Sequence, residues 1–84
     1  MYKIEIYVTL KKDVLDPQGK AISSAAKTLN IKNILSIRQG KYFEIICTKI
    51  DGIKNVKDLA KNLSEKLLYN EVIEEYKIVN IKKI

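Results

Sequence analysis

No histidine occurs among these 84 residues, and cysteine occurs once, at Cys47. The first absence removes the commonest general base and the commonest metal ligand. The second leaves a thiol with no base to activate it, so no cysteine nucleophile is expected and Cys47 reads as a small buried side chain. One cysteine closes no internal disulfide, which suits a reducing, cytoplasmic setting. Carboxylates are the only metal ligands on offer, and the adjacent Glu74 and Glu75 point to opposite faces of a strand, so no metal site is read. Ser23 and Ser24 lie in a helical stretch with no catalytic partner in view. Gly19 and Gly40 are isolated, which excludes a glycine-rich phosphate cradle. No apolar run reaches membrane length, and Lys3 and Glu5 interrupt the first segment, so neither a span nor a signal peptide is expected. Arginine is scarce too: Arg38 stands alone among sixteen basic residues. Arginine is the side chain that forks onto phosphates and guanine edges, so specific base reading is disfavoured.

What is present describes one small domain spanning residues 1–84. An apolar fraction of 46% is ample for a core. A chain this short buries only roughly 60–65% of its extended surface, so it gains from a partner. The net charge of +6 is uneven. Residues 1–42 hold eight bases and three acids, whereas residues 43–84 hold eight bases and seven acids. A basic half fits nucleic acid or an acidic protein surface.

Periodicity gives four strands and two helices. From Tyr2 to Leu10, Ile4, Ile6, Val8 and Leu10 share one face, and Lys3, Glu5, Tyr7 and Thr9 the other. Pro17 to Leu29 reads as a helix with a stripe of Ala21, Ile22, Ala25, Ala26 and Leu29, small enough to pack close to a sheet. Asp16 is its cap, Pro17 its first residue and Asn30 its left-handed stop. Ile34–Arg38 and Tyr42–Lys49 read as a hairpin, with Gln39-Gly40-Lys41 as a basic turn in which Gly40 supplies positive φ. In the second arm Phe43, Ile45 and Cys47 face one way. Lys54 to Leu68 reads as a helix with Val56, Leu59, Ala60, Leu63 and Leu67 on one stripe, and with Lys54–Asp58 and Lys61–Glu65 spaced as ion pairs. Asn70 ends it, Val72 to Ile81 forms the last strand, and Lys82-Lys83-Ile84 is a frayed tail.

The order β-α-β-β-α-β predicts an α+β, ferredoxin-like domain, an antiparallel sheet with both helices on one face. The other face stays uncovered. Tyr7, Tyr42 and Ile46 lie there among Glu5 and Glu44, a half-apolar surface that invites a second copy or a larger partner. An RNA-recognition module shares this order, and Ile6-Tyr7-Val8-Thr9 resembles its first-strand motif with Tyr7 as the stacking ring. Its third-strand motif fails, however. In Arg38-Gln39-Gly40-Lys41-Tyr42-Phe43-Glu44-Ile45 the glycine is displaced, and Glu44 sits where phosphates would lie. A protein-interaction module is the better reading, with RNA binding as the alternative.

Three groups of residues carry a more specific resemblance. They are Val8-Thr9-Leu10-Lys11 with Val14-Leu15-Asp16-Pro17-Gln18-Gly19, then Ile37-Arg38-Gln39-Gly40-Lys41, then Leu67-Leu68-Tyr69-Asn70 with Val72-Ile73-Glu74-Glu75-Tyr76. In this order and spacing the whole chain resembles the PurS family, the small subunits of phosphoribosylformylglycinamidine (FGAM) synthase. Asn30 replaces the glycine that usually ends the first helix, and Glu71 the proline that commonly follows the asparagine. The resemblance implies a non-catalytic subunit of a ligase complex in purine biosynthesis. Such a subunit dimerises, bridges a PurQ-type glutaminase and a PurL-type synthetase, and couples glutamine-derived ammonia to ATP-dependent amidation of formylglycinamide ribonucleotide. It implies that ATP, magnesium and glutamine serve the complex and that this chain binds no cofactor, nucleic acid or membrane. It further suggests Gln18, Gly19, Arg38, Gly40 and Lys41 as partner contacts. Asp16 and Pro17 would serve as cap or interface, and Tyr7, Tyr42 and Ile46 as a self-association face.

Overall fold

A computed structural model describes all residues from Met1 to Ile84. Its sheet is antiparallel and three-stranded in the order β2-β1-β3, with β1 at Tyr2–Leu10, β2 at Gly40–Cys47 and β3 at Glu74–Lys83. Helix α1 (Pro17–Thr28) joins β1 to β2, and α2 (Ile53–Leu63) joins β2 to β3. The α+β, ferredoxin-like arrangement holds. One predicted strand does not form.

That strand is Ile34–Arg38. Residues 34–39 have no ladder partner, and the backbone neither turns nor bends between Ile34 and Cys47. The expected hairpin is therefore corrected, and so is the role given to Gly40. Tight hairpin turns need residues with φ above zero. Here positive φ occurs at Asn30, Asn33, Lys49 and Gly52, and nowhere between residues 34 and 48. Gly40 is instead the first residue of β2, paired with Thr9 of β1.

The core follows the alternation of β1. Ile4, Ile6 and Val8 are buried beneath Val56 and Ala60 of α2. Across the ladder Ile4 lies between Ile45 and Ile81, and Ile6 between Phe43 and Ile78. Burying each such side chain is worth about 1.5–3 kcal/mol. Ile78 and Ile81 differ in parity, yet both reach this face. A bulge allows it: Glu5 pairs with Asn80 while Ile6 pairs with Ile78, leaving Val79 as the extra residue.

Helix α2 ends in a wider π-helical turn, Ser64–Leu68. The extra residue rotates the stripe, so Leu67 is 73% exposed and Leu68 packs on the core in its place. Ser64 is wholly buried, and its hydroxyl donates to the Ala60 carbonyl at 2.8 Å. The spaced pairs Lys54–Asp58 and Lys61–Glu65 do not close; the ion pairs are Lys3–Glu44 and Lys41–Glu74. Glu65 instead accepts from the Tyr76 hydroxyl at 2.8 Å. Burial first, then this carboxylate, pushes the Tyr76 phenol up to about 12.

The last strand starts and ends later than expected. Asn70 builds a turn before it: its side chain accepts from Val72 N–H at 3.0 Å, and its carbonyl accepts from Ile73 and Glu74 N–H. Glu71 stands in a closed turn without proline. Lys82 and Lys83 pair with β1, and Ile84 N–H donates to the Met1 carbonyl at 2.9 Å, so the tail is not frayed.

Helix α1 starts on Asp16 and Pro17 and stops at Asn30, whose φ is 61°, as its sequence requires. Its stripe is left open, with Ile22 44% and Leu29 71% exposed, and it makes little contact with the sheet. The radius of gyration is 16.3 Å. A compact domain of this length has about 12 Å. The excess comes from an arm, Lys11 to Gln39, that extends the chain to 50 × 28 × 14 Å.

Candidate functional site

Two stretches twenty residues apart in sequence meet where the arm leaves the sheet. Asp16 holds both. One carboxylate oxygen accepts from Gly19 N–H at 2.9 Å, capping α1, and the other accepts from Gln39 N–H at 2.9 Å, fixing the approach to β2. Those two bonds, the Gly19 one first, hold the Asp16 carboxyl below its usual range against the opposing effect of burial; the Arg38 charge adds to them.

Arg38 answers in the other direction. Its guanidinium donates to the carbonyls of Leu10 at 2.6 Å, Lys11 at 3.1 Å and Lys12 at 3.4 Å. Each stretch therefore satisfies backbone groups of the other, at a place where no ladder or helix does so. The Gln39 side-chain amide donates to the Gln18 amide oxygen at 2.6 Å.

Glycine is needed at two points of this corner, in both cases for space. A Cβ on the buried Gly19 would run into the Ile37 carbonyl oxygen and lie 2.6 Å from the Asp16 carboxylate. One on Gly40 would lie 2.6 Å from the Thr9 methyl and 2.7 Å from the Val8 carbonyl oxygen. Lys41 sits 3.5 Å from the Glu74 carboxylate. A cavity of about 250 Å³ opens between Gln18, Gln39, Lys41 and Glu74.

The seven corner residues read from the sequence, Asp16, Pro17, Gln18, Gly19, Arg38, Gly40 and Lys41, are thus gathered in one place. The basic hairpin tip is not what gathers them. Arg38 is turned onto its own chain and Lys41 is paired, so the corner offers less free positive charge than its composition suggests. Gln39 and Glu74 complete it and were not singled out. Gln39 could have been found, because it lies between Arg38 and Gly40. Glu74 enters only through the fold.

Tyr7, Tyr42 and Ile46 lie on the other sheet face, as expected from alternation. The tyrosine rings are paired across the ladder, with centroids 5.2 Å apart and planes tilted by 57°. The Tyr42 hydroxyl donates to Glu5 at 2.7 Å and lies 3.4 Å from Glu44, while the Asn80 amide donates to Glu5 at 3.2 Å. Glu5 and Glu44 are directly opposed in the ladder. Like charges so placed repel, and the Tyr42 hydroxyl between them relieves it. The Tyr42 bond, then that of Asn80, lowers the Glu5 carboxyl; the bond to Glu5 raises the Tyr42 phenol. Ile46 is 49% exposed beside Lys3.

This geometry can be set against known proteins. Residues 3–82 match the family PurS, described as phosphoribosylformylglycinamidine (FGAM) synthase. The chain is 44% identical over 77 residues to the phosphoribosylformylglycinamidine synthase subunit PurS of Bacillus subtilis (strain 168), covering 92% of this chain and 89% of that one. The crystal structure of Methanocaldococcus jannaschii PurS superposes with a TM-score of 0.88 at 34% identity, over 100% of this chain and 99% of that one. A chain in the PurLQS structure from Thermotoga maritima shares the fold, with a TM-score of 0.70 at 22% identity over 99% and 96% of the two chains. With the family matched from Lys3 to Lys82 and the fold shared end to end, this chain belongs to the PurS family.

Proposed function

We propose that this chain is the small, non-catalytic subunit of FGAM synthase, acting in purine biosynthesis as a bridge between a PurL-type synthetase and a PurQ-type glutaminase. The observation that carries the reading is the family match over residues 3–82. The fold supports it, because the arm presents apolar surface that its own sheet does not cover. In this role glutamine, ATP and magnesium are handled by the other subunits. The small subunit couples ammonia release to amidation of formylglycinamide ribonucleotide by holding the two catalytic subunits together, in the cytoplasm. No helix here is long and apolar enough to cross a membrane.

Within that role the corner is the surface a partner reads. Gln18 and Lys41 border its cavity and supply contacts. Asp16, Pro17, Gly19, Arg38 and Gly40 hold its shape. Tyr7, Tyr42 and Ile46 form a self-association face. The RNA-recognition reading is weaker: Tyr7 is packed against Tyr42, and Glu5 and Glu44 flank the pair with negative charge.

The test is glutamine-dependent synthesis by the two catalytic subunits, with and without this chain, beside synthesis driven by added ammonia. Restoration of the glutamine-driven reaction alone is the expected result. No effect on either reaction overturns the coupling role.

A further inference from the structure

The corner cavity lies where the core of the sheet runs out. Glu74 stands opposite Leu10 and Lys41 opposite Val8, at successive positions of the face that α2 covers further along. Glu74 is held ready there. Its side chain is 12% exposed, and Asn70 N–H donates to its Oε1 at 2.8 Å. The other oxygen, Oε2, accepts no hydrogen bond from its own chain. Its counter-ion is the Lys41 ammonium, 3.5 Å away on a side chain that is 63% exposed. A firm charge-assisted bond is about 2.7–2.9 Å long. A mostly buried carboxylate is thus fixed by backbone on one side and loosely paired on the other, a costly state for a charge.

We infer that the cavity is the seat of an arginine side chain from a catalytic subunit, whose guanidinium forks onto Glu74 and displaces the Lys41 ammonium. The seat belongs to the partner surface proposed above, on which it depends, and gives that surface its chemistry.

Size favours a side chain over a free metabolite. The cavity of about 250 Å³ lies below the roughly 300–1,000 Å³ of small-molecule sites. Charge selects a cation. Asp16 and Glu74 both line the cavity, against Lys41 alone, in a chain whose net charge is +6. Arg38 does not line it; its donors go to the carbonyls of Leu10, Lys11 and Lys12. The acceptors select a guanidinium over an ammonium. Besides Glu74 Oε2, the Gln39 amide oxygen is free, since only its NH2 is used, on Gln18. Acceptors spread in this way suit a planar fork of donors. Val8 and Leu10 give an apolar wall for the stem. The source is another protein, because Arg38 is the only arginine of this chain and is committed to its own backbone. Lys41 keeps a part in the contact: its methylenes line the cavity while its ammonium swings out to water.

The test compares two variants that a merely structural ion pair would affect alike. Glu74→Gln keeps an oxygen for Asn70 N–H and removes the charge. Lys41→Met keeps the stem and removes the ammonium. The readout is the concentration of chain that gives half-maximal glutamine-driven synthesis with the two catalytic subunits. Glu74→Gln should raise it about tenfold or more. Lys41→Met should lower it severalfold. Any other pattern overturns the displacement. The isolated chain gives a second readout that does not depend on coupling. In carbon NMR, methylguanidinium chloride should move the Glu74 carboxyl signal, and further in Lys41→Met, whereas methylammonium chloride at equal concentration should leave it in place. An equal response to the two salts, or none to either, overturns the seat. If the chain couples nothing while Glu74 answers methylguanidinium, the proposed function falls and the guanidinium site stands. If coupling is normal and Glu74 is indifferent, the seat alone falls.

Discussion

The sheet with α2 and the arm from Lys11 to Gln39 are both rich in apolar residues, yet they bury them very differently. In the first, Ile4, Ile6 and Val56 are wholly buried. In the second, Leu29 is 71%, Ile31 51% and Leu35 100% exposed. Composition does not separate the two regions; neighbours do. β1 has a strand on each side and a helix above, all from its own chain, whereas the arm leaves the sheet and finds nothing to lie on. One region holds the single chain together, and the other holds its surface in reserve for association.

Five substitutions break or sharpen that contrast. Ile6→Ala has the largest expected effect, about 2–5 kcal/mol, because the cavity lies under α2 and between two strands. Leu29→Ala in the arm should stay within about 0.5 kcal/mol. Urea unfolding of the two variants side by side checks this, and equal losses would dissolve the distinction.

Gly19→Ala comes next, at about 1–3 kcal/mol, since the new methyl meets the Ile37 carbonyl and something must shift. The loss should be local. Exchange of the Gln39 amide hydrogen should speed up while amides of β1 keep their protection.

Asp16→Asn has a smaller effect that depends on pH. The folded carboxyl lies below its ordinary value of 3.8. Its contribution is therefore complete above that ordinary value and is lost as pH falls through the lowered folded one. The wild-type arm should loosen on acidification through this window, seen in Gln39 and Gly19 amide shifts. Asp16→Asn should be loose already at neutral pH and show no such transition.

Tyr42→Phe is the mildest, because the pair it disturbs is exposed. Without the hydroxyl, the Glu5 carboxyl should titrate closer to its ordinary 4.5, measurable by carbon NMR. An unmoved titration would mean the Tyr42–Glu5 bond does not persist in solution.

What the sequence made legible was what neighbours along the chain decide. Strict alternation from Tyr2 to Leu10 fixed the buried face of β1, because a one-residue slip would expose Ile4, Ile6 and Val8 together. Asp16 with Pro17 marked a helix start, and Asn30 a left-handed stop, through bonds that reach no further than five residues. The misses share the opposite property. Ile34–Arg38 has strand alternation and no partner, and alternation carries no information about partners. Leu67 lost its place to Leu68 because one π-helical turn rotated the stripe. Ile78 and Ile81 share a face only through the bulge at Val79. At the corner, residue types pointed to the right place, while the reason for Gly40 was mistaken: it makes room for Thr9 and Val8, which are distant in sequence.

Arg38 has a consequence of a practical kind. As the only arginine of the chain, it is the only guanidinium that a dicarbonyl such as phenylglyoxal can modify. Its donors are bound to three successive carbonyls whenever the corner is closed. The rate of labelling thus becomes a single-site gauge of how often the arm swings free, read by mass spectrometry as one adduct. Added to a mixture of subunits, the same reagent reports docking at the corner as a slowing of that one reaction, with no dye, tag or substitution in the chain.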